Sequence, residues 1–308
     1  MNYFNWEQIW LPAECERANV DVLHCPFNFG LPARSPCPRV LTLHDCIDQI
    51  YYRPQQTVWE KLRIDALKME LLQWIARNRA EHVITVSQHA KDDLVRYLSI
   101  SPEKISVIYE AADPLFHQLI GPEVRARVRA THGIDGPYIF YVGGWERRKN
   151  IPFLLDAFTQ AALGPVQLVL AGGQSDQIAA VSEIAEELGI GSRVRTLGWV
   201  EDQDLPALYA ESLCFVYPSE YEGFGLQLCE AMAVGCPVFA ARRASLPEIL
   251  GQGGETFSLE DPAELTGLIQ CVAADLGYRK QLAGRAVARS LDFSWRSAAE
   301  KTLVVYTQ

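Results

Sequence analysis

Short runs rich in β-branched and aromatic residues alternate along the chain with stretches whose apolar positions recur at helical spacing. "DVLHC" (21–25), "RVLTLH" (39–44), "HVITVS" (82–87) and "KISVIY" (104–109) predict four strands. Between the second and third, residues 56–80 predict one long helix carrying Trp59 and Trp74. Its basic residues interleave with Glu60, Asp65 and Glu70, which favours an amphipathic helix laid on a sheet over peripheral contact with an anionic membrane. Ser87 has the chemistry of an N-cap for a helix through "QHAKDDLVRYL". Residues 110–137 are polar, contain three prolines, and predict the connection between two domains.

A second series follows. Strands are predicted at 138–143, 166–172, 193–198, 213–218 and 237–241, with helices at 150–162, 175–189, 203–211, 225–234 and 245–250. The tail predicts helices at 261–274, 277–290 and 293–308. Near-continuous apolar strands belong to sheets covered on both faces. The alternation therefore predicts an α/β protein: two Rossmann-like domains with parallel sheets, facing across a cleft that is the default ligand site.

Composition sharpens this only in places. A chain of 308 residues exceeds one ordinary core, in keeping with two domains. The net charge of −10 argues against nucleic acid as a partner but leaves room for a local basic pocket. No run of eighteen apolar residues predicts a membrane span, and "MNYFNWEQIW" lacks the pattern of a secretory leader. Eight cysteines include no CxxC pair, which predicts reduced, mostly buried thiols in a cytoplasmic protein rather than a zinc site.

Candidate chemistry gathers at the strand ends of the second series. "YVGGWERRKN" places Gly143 and Gly144 where backbone can approach a ligand, then Arg148 and Lys149 before a helix with Asn150 as expected cap. A glycine turn with cations at a helix start suits a diphosphate; a solvated basic loop is the plain alternative. "LAGGQSD" supplies a second double glycine, including Gly172, and the backbone of Trp199-Val200 can frame a flat ring, unless Trp199 simply packs. In "EYEGFGLQLCE" the amides of Phe224, Gly225 and Leu226 fall at a helix start, with Glu222 before the turn and Glu230 two turns later. That spacing does not suit a carboxylate pair flanking one scissile bond; it suits two hydroxyl acceptors along an extended ligand.

"EGFGLQLCEAMAVGCPV" is similar to the Glu-x7-Glu region of the retaining GT-B glycosyltransferases of family 4, the glycosyl transferases group 1. "YVGGWERRKNIPFLLDAF", "VSQHAKDDL", "KISVIYEAADPLF", "RVRTLGWVEDQDLPALYAES" and "LTLHD" resemble further motifs of that family, from about residue 20 to the C-terminus. The resemblance implies a GT-B fold with ends near 118 and 292, and a last helix, 293–308, returning to the N-terminal domain. It implies that Glu222 holds donor-sugar hydroxyls, with the Phe224, Gly225 and Leu226 amides against sugar and distal phosphate. Glu230 would accept from the ribose, Val200 would frame the base, and Arg148 and Lys149 would neutralise the leaving diphosphate. His44 would face the donor sugar across the cleft; a strand-end histidine bonded to Asp45 is the alternative. No resident cofactor or metal is implied. The donor would be a GDP- or UDP-sugar, with mannose favoured, and the acceptor a glycan or lipid-linked molecule, reached with retention of anomeric configuration and without an enzyme nucleophile.

The family's usual opening strand and glycine loop have no counterpart before "DVLHCPFNF". The expectation is a reduced N-terminal domain. It would be functional as it stands, completed by a second copy or a partner chain, or retained for binding alone. A phosphorylase or synthase on the same fold is a further alternative. Localisation is expected in the cytoplasm, with the inner membrane face as the variant.

Overall fold

The computed structural model describes residues 3–55 and 64–308. Trp59 and Glu60, on the predicted 56–80 helix, lie outside these residues. The chain divides into two compact units: Met1–Glu110 with Trp295–Gln308, and Ala111–Ser294.

The first unit carries a four-stranded parallel sheet in sequential order: β1 (Leu23–Cys25), β2 (Arg39–Thr42), β3 (His82–Thr85) and β4 (Ile105–Val107). Side chains alternate across a strand, and here both faces are buried. Leu41, Val83 and Ile105 pack with Ala76 and Leu94, from the helices Ile64–Arg79 and Gln88–Leu98, on one side. Val40 and Ile84 pack with Ala298 and Val305 of the C-terminal helix Trp295–Tyr306 on the other. His24 locks that helix down, one ring nitrogen 2.6 Å from the Tyr306 hydroxyl and the other 2.8 Å from Thr42 Oγ1. Ser87 caps its helix, accepting from the Ala90 amide at 2.9 Å. The outward side of Ile64–Arg79 is not purely charged: Leu67, Leu71 and Trp74 are exposed there, while Leu72, Ile75 and Ala76 are buried.

In the second unit, β5 (Tyr138–Val142), β6 (Gln167–Ala171), β7 (Val194–Gly198), β8 (Cys214–Tyr217), β9 (Val238–Ala241) and β10 (Glu255–Phe257) form a parallel sheet ordered β10-β9-β8-β5-β6-β7. Read from β7, this is the doubly wound order whose ligands sit where the winding reverses. The chain leaves β5 toward β6 and β7, then returns to the other side of β5 with β8. The crevice therefore opens at the carboxyl ends of β5 and β8.

Two expectations differ from what is observed. The stretch 110–137 is not an open connection: Phe116 packs edge-on against Tyr209, and the helix Pro122–His132 is tied to the second unit by Arg125–Glu211 (2.9 Å) and Arg127–Asp204 (2.9 Å). The division thus falls at Glu110/Ala111 instead of near 118, and returns at Ser294/Trp295 instead of 292. Asn150 occupies the N-cap position of the helix Ile151–Ala161 in a left-handed conformation (φ 54°, ψ 43°) and makes no side-chain cap bond. None of the eight cysteines is in a disulfide; Cys271 is exposed and Cys25 half-buried. Among the described residues no helix is long and apolar enough to cross a membrane.

The strand ends β5, β6 and β7 run straight into glycines. At Gly172 (φ +93°) an added Cβ would lie 2.0 Å from the Gly143 carbonyl oxygen, so only glycine lets these two loops touch. Gly172→Ala should lower unfolding free energy by about 2–4 kcal/mol, through strain and backbone clash. Gly284, inside the helix Leu276–Ser290 with open space around its Cβ position, is the control: Gly284→Ala should stabilise by about 0.5–1 kcal/mol. Urea denaturation checks both; equal effects would contradict the assignment.

Candidate functional site

β5 ends in Gly143-Gly144, and a short 3-10 turn, Arg147–Lys149, follows before the left-handed Asn150 turns the chain into its helix. β8 ends at Tyr217, and its loop carries Ser219, Tyr221 and Glu222 to the helix Leu226–Ala233. The two loops are stapled by backbone: the Glu220 amide donates to the Arg148 carbonyl at 2.7 Å. Adjacent parallel strands at the switch point thus deliver their loops to one place.

Three donors converge there on a single carboxylate oxygen. Glu222 Oε1 accepts from Lys149 Nζ at 2.6 Å, Ser219 Oγ at 2.6 Å and Arg148 Nη1 at 2.8 Å, and the Tyr217 hydroxyl lies 3.1 Å from it. Glu222 is 8% exposed and Lys149 is buried beside it, over the Tyr217 ring at 5.0 Å. Burial works to raise the Glu222 carboxyl, but Lys149 and then Arg148 outweigh it and hold it below the usual carboxylate range. Burial lowers the Lys149 ammonium, and the Glu222 charge opposes that. Two cations thus share one buried carboxylate, and Glu146 is near enough to act on Lys149 as well.

The helix start beside this cluster is shaped for close approach. Gly225 is left-handed (φ 99°), and a Cβ there would lie 2.9 Å from Leu246 Cδ2. Its cap position offers no side-chain acceptor to the first-turn N–H groups. Ser245 Oγ is placed 2.9 Å from each of the Glu222 and Phe224 carbonyls, which fixes the turn.

A cavity of about 550 Å³ opens alongside, entirely within the second unit. Gly143, Gly144, Gly172, Val200 and Glu230 line it, together with Gln227. Trp199 is 81% exposed at its rim, so simple packing does not account for it. Glu230 accepts from the buried Tyr209 hydroxyl at 2.8 Å.

A family model described as glycosyl transferases group 1 matches residues 124–286, and one described as Glycosyltransferase Family 4 matches residues 2–114. The chain belongs to the group 1 glycosyl transferases. It is 30% identical to the O-antigen chain mannosyltransferase B of Escherichia coli over 291 residues, covering 92% of this chain and 74% of that one. It is 31% identical to the MMP alpha-(1->4)-mannosyltransferase of Mycolicibacterium hassiacum over 243 residues, covering 77% and 56%. Against the serotype-specific mannosyltransferase WbdA of Escherichia coli it is 28% identical over 239 residues, covering 75% of this chain but 29% of that one. Among solved structures, Anabaena Alr3699/HepE in complex with UDP and glucose superposes with a TM-score of 0.74 at 23% identity, covering 88% of this chain and 72% of that one. WaaG, a glycosyltransferase involved in lipopolysaccharide biosynthesis, gives 0.78 at 16%, covering 97% and 81%. These two neighbours show the fold, which is GT-B.

Within this group 1 glycosyltransferase, every expected site residue except His44 belongs to the second unit; Arg148, Lys149, Glu222, Phe224, Gly225 and Leu226 are not among the residues that line the cavity. His44 follows β2 in the first unit, where Nδ1 lies 3.2 Å from Glu110 Oε1 and Nε2 3.2 Å from the Pro26 carbonyl. The Glu110 hydrogen bond raises its pKa, against burial. Glu110 is thus a partner of His44; Asp45 Oδ1 accepts from the Ile47 amide, and the Asp45 charge also acts on His44. Sequence reasoning missed Tyr217, Ser219, Gln227, Tyr209 and Ser245. Of these only Ser219, three residues before Glu222, carried a readable signal.

Burial pushes Glu230 up to about 7, with the Tyr209 hydroxyl working against it and Asp202 and Asp113 adding to it. A raised carboxyl pKa means the unfolded chain ionises first as pH rises. Stability is then lost between the ordinary carboxylate range and pH 7. Glu230→Gln should abolish that loss, leaving the variant more stable than the parent above pH 7 by about 1–3 kcal/mol. Parallel denaturation curves at every pH would contradict it.

Proposed function

We propose that this chain transfers a sugar, with mannose favoured, from a GDP- or UDP-sugar to a glycan or lipid-linked acceptor, with retention of anomeric configuration. The observation that carries the reading is the convergence of Arg148 and Lys149 on buried Glu222, at the crevice between β5 and β8 and beside a nucleotide-sized cavity. Three relatives, all mannosyltransferases, support the sugar, and the UDP held by the HepE neighbour supports the nucleotide class.

The chemistry follows from the charges. The bond between the anomeric carbon and the distal phosphate breaks, and its electron pair leaves with the diphosphate. Arg148 and Lys149, already desolvated, stabilise the charge as it grows. Glu222 keeps two like charges close together and buried before the donor arrives, and offers its carboxylate to the sugar hydroxyls. The acceptor hydroxyl attacks from the leaving-group side and its proton passes to the departing phosphate, so no enzyme nucleophile takes part. The two cations supply the charge that a divalent ion supplies in other transferases, which makes the reaction metal-independent. Glu230 and the Val200 backbone hold the ribose and the base at the far end of the cavity.

Lys149→Ala should lower kcat/KM for donor turnover by about 10²–10³-fold. Wild-type turnover should be unchanged by a chelator, and the product should keep the donor's anomeric configuration by NMR. Nucleotide binding without hydrolysis or transfer to any glycan or lipid-linked acceptor would overturn the enzyme reading. An inverted product would overturn the stereochemical one.

A further inference from the structure

The Tyr217 hydroxyl is fully buried and touches three side chains: Lys149 Nζ at 2.8 Å, Glu222 Oε1 at 3.1 Å and Gln227 Oε1 at 3.0 Å. Burial keeps this phenol far above its ordinary pKa, so it holds one proton to give. Lys149, an ammonium, has only protons to offer and must donate to it. The phenol proton then has two acceptors to choose from. Glu222 Oε1 already takes Lys149, Ser219 and Arg148 at 2.6, 2.6 and 2.8 Å, which saturates the lone pairs of one carboxylate oxygen. The proton therefore goes to Gln227 Oε1. That choice settles the Gln227 amide: with its oxygen committed to Tyr217, its Nε2 is left to the cavity that Gln227 lines.

Gln227 lies on the first turn of the helix Leu226–Ala233, between the Arg148–Lys149–Glu222 cluster and Glu230, three residues further on and lining the same cavity. On the functional reading above, which this inference rests on, the span between the cluster and Glu230 is where a nucleotide's diphosphate lies. We propose that Gln227 is a further ligand-binding residue, donating an N–H to the diphosphate, and that Tyr217 is the positioning residue that fixes the amide and Lys149 in the donating orientation. Lys149, Tyr217 and Gln227 then form one chain of hydrogen bonds, which transmits the charge cluster's order to a neutral donor on the cavity wall. Gln227 has nothing to bind on a bare nucleoside at this position, so its contribution is confined to phosphate.

The test is calorimetric titration of GDP, UDP and the matching nucleosides into wild type and variants. Gln227→Leu should weaken the nucleoside diphosphate about 5- to 20-fold, the loss of one hydrogen bond to a charged group, and leave the nucleoside within about twofold. Gln227→Glu, which presents a charge of the wrong sign, should weaken the diphosphate more than Gln227→Leu. Tyr217→Phe should cost at least as much as Gln227→Leu, and adding Gln227→Leu to it should change nothing further. Near-ultraviolet circular dichroism checks that Tyr217→Phe is folded. Should it unfold, the two Gln227 variants decide alone. Diphosphate affinity unchanged by Gln227→Leu, an equal loss for the nucleoside, or the full Gln227→Leu loss repeated in the Tyr217→Phe background overturns the inference. If neither nucleoside diphosphate binds wild type, the functional reading itself falls and this inference with it.

Discussion

A carboxylate buried with two cations is costly to assemble, and Glu222 is held so by Lys149 and Arg148 at 2.6 and 2.8 Å. The attraction among these charges repays the loss of hydration only because every partner is in place. Deleting one member strands the others, a cost on the order of 3–5 kcal/mol. The arrangement is therefore weak evidence for stability and better evidence for a ligand. Two cations held on one buried carboxylate are what a diphosphate would engage. The geometry around it serves that end: Ser219 donates to the carboxylate, Tyr217 holds Lys149, Ser245 fixes the turn, and the Glu220 amide ties one loop to the other.

The sheet decides where this can happen. Winding reverses between β5 and β8, so only there do the loops of two neighbouring strands part and leave a crevice. The glycines at the ends of β5 and β6 then allow backbone to form the cavity wall. A side chain at Gly172 would meet the Gly143 carbonyl before any ligand did. At the other end of the cavity, Glu230 is set against Tyr209 and near Asp202, in surroundings that favour its protonated form.

Much of this was legible in the sequence, for physical reasons. Strands such as Val238–Ala241 are apolar throughout because both faces are covered, and such runs stand out from helical spacing. Glu222 and Glu230 were legible because a glycine turn followed by a helix fixes where both must go. The helix Pro122–His132 was not, since it buries only Val128 and so shows no apolar period. Three-residue β10, behind two glycines, reads as a loop. Asn150 was placed at the right position and given the wrong role, because its left-handed backbone was invisible to a propensity for capping. Tyr217 ends an apolar run and reads as core. Its hydroxyl becomes informative only when Lys149 and Gln227 arrive from distant parts of the chain.

The most direct measurement is a crystal structure with an intact nucleoside-diphosphate sugar bound. Phosphate oxygens should lie about 2.7–3.2 Å from Lys149 Nζ and from the Arg148 guanidinium, with the ribose at Glu230 and the base at Val200. A nucleotide bound in this crevice in the reverse sense, or elsewhere on the chain with Arg148 and Lys149 still closed on Glu222, would contradict the account.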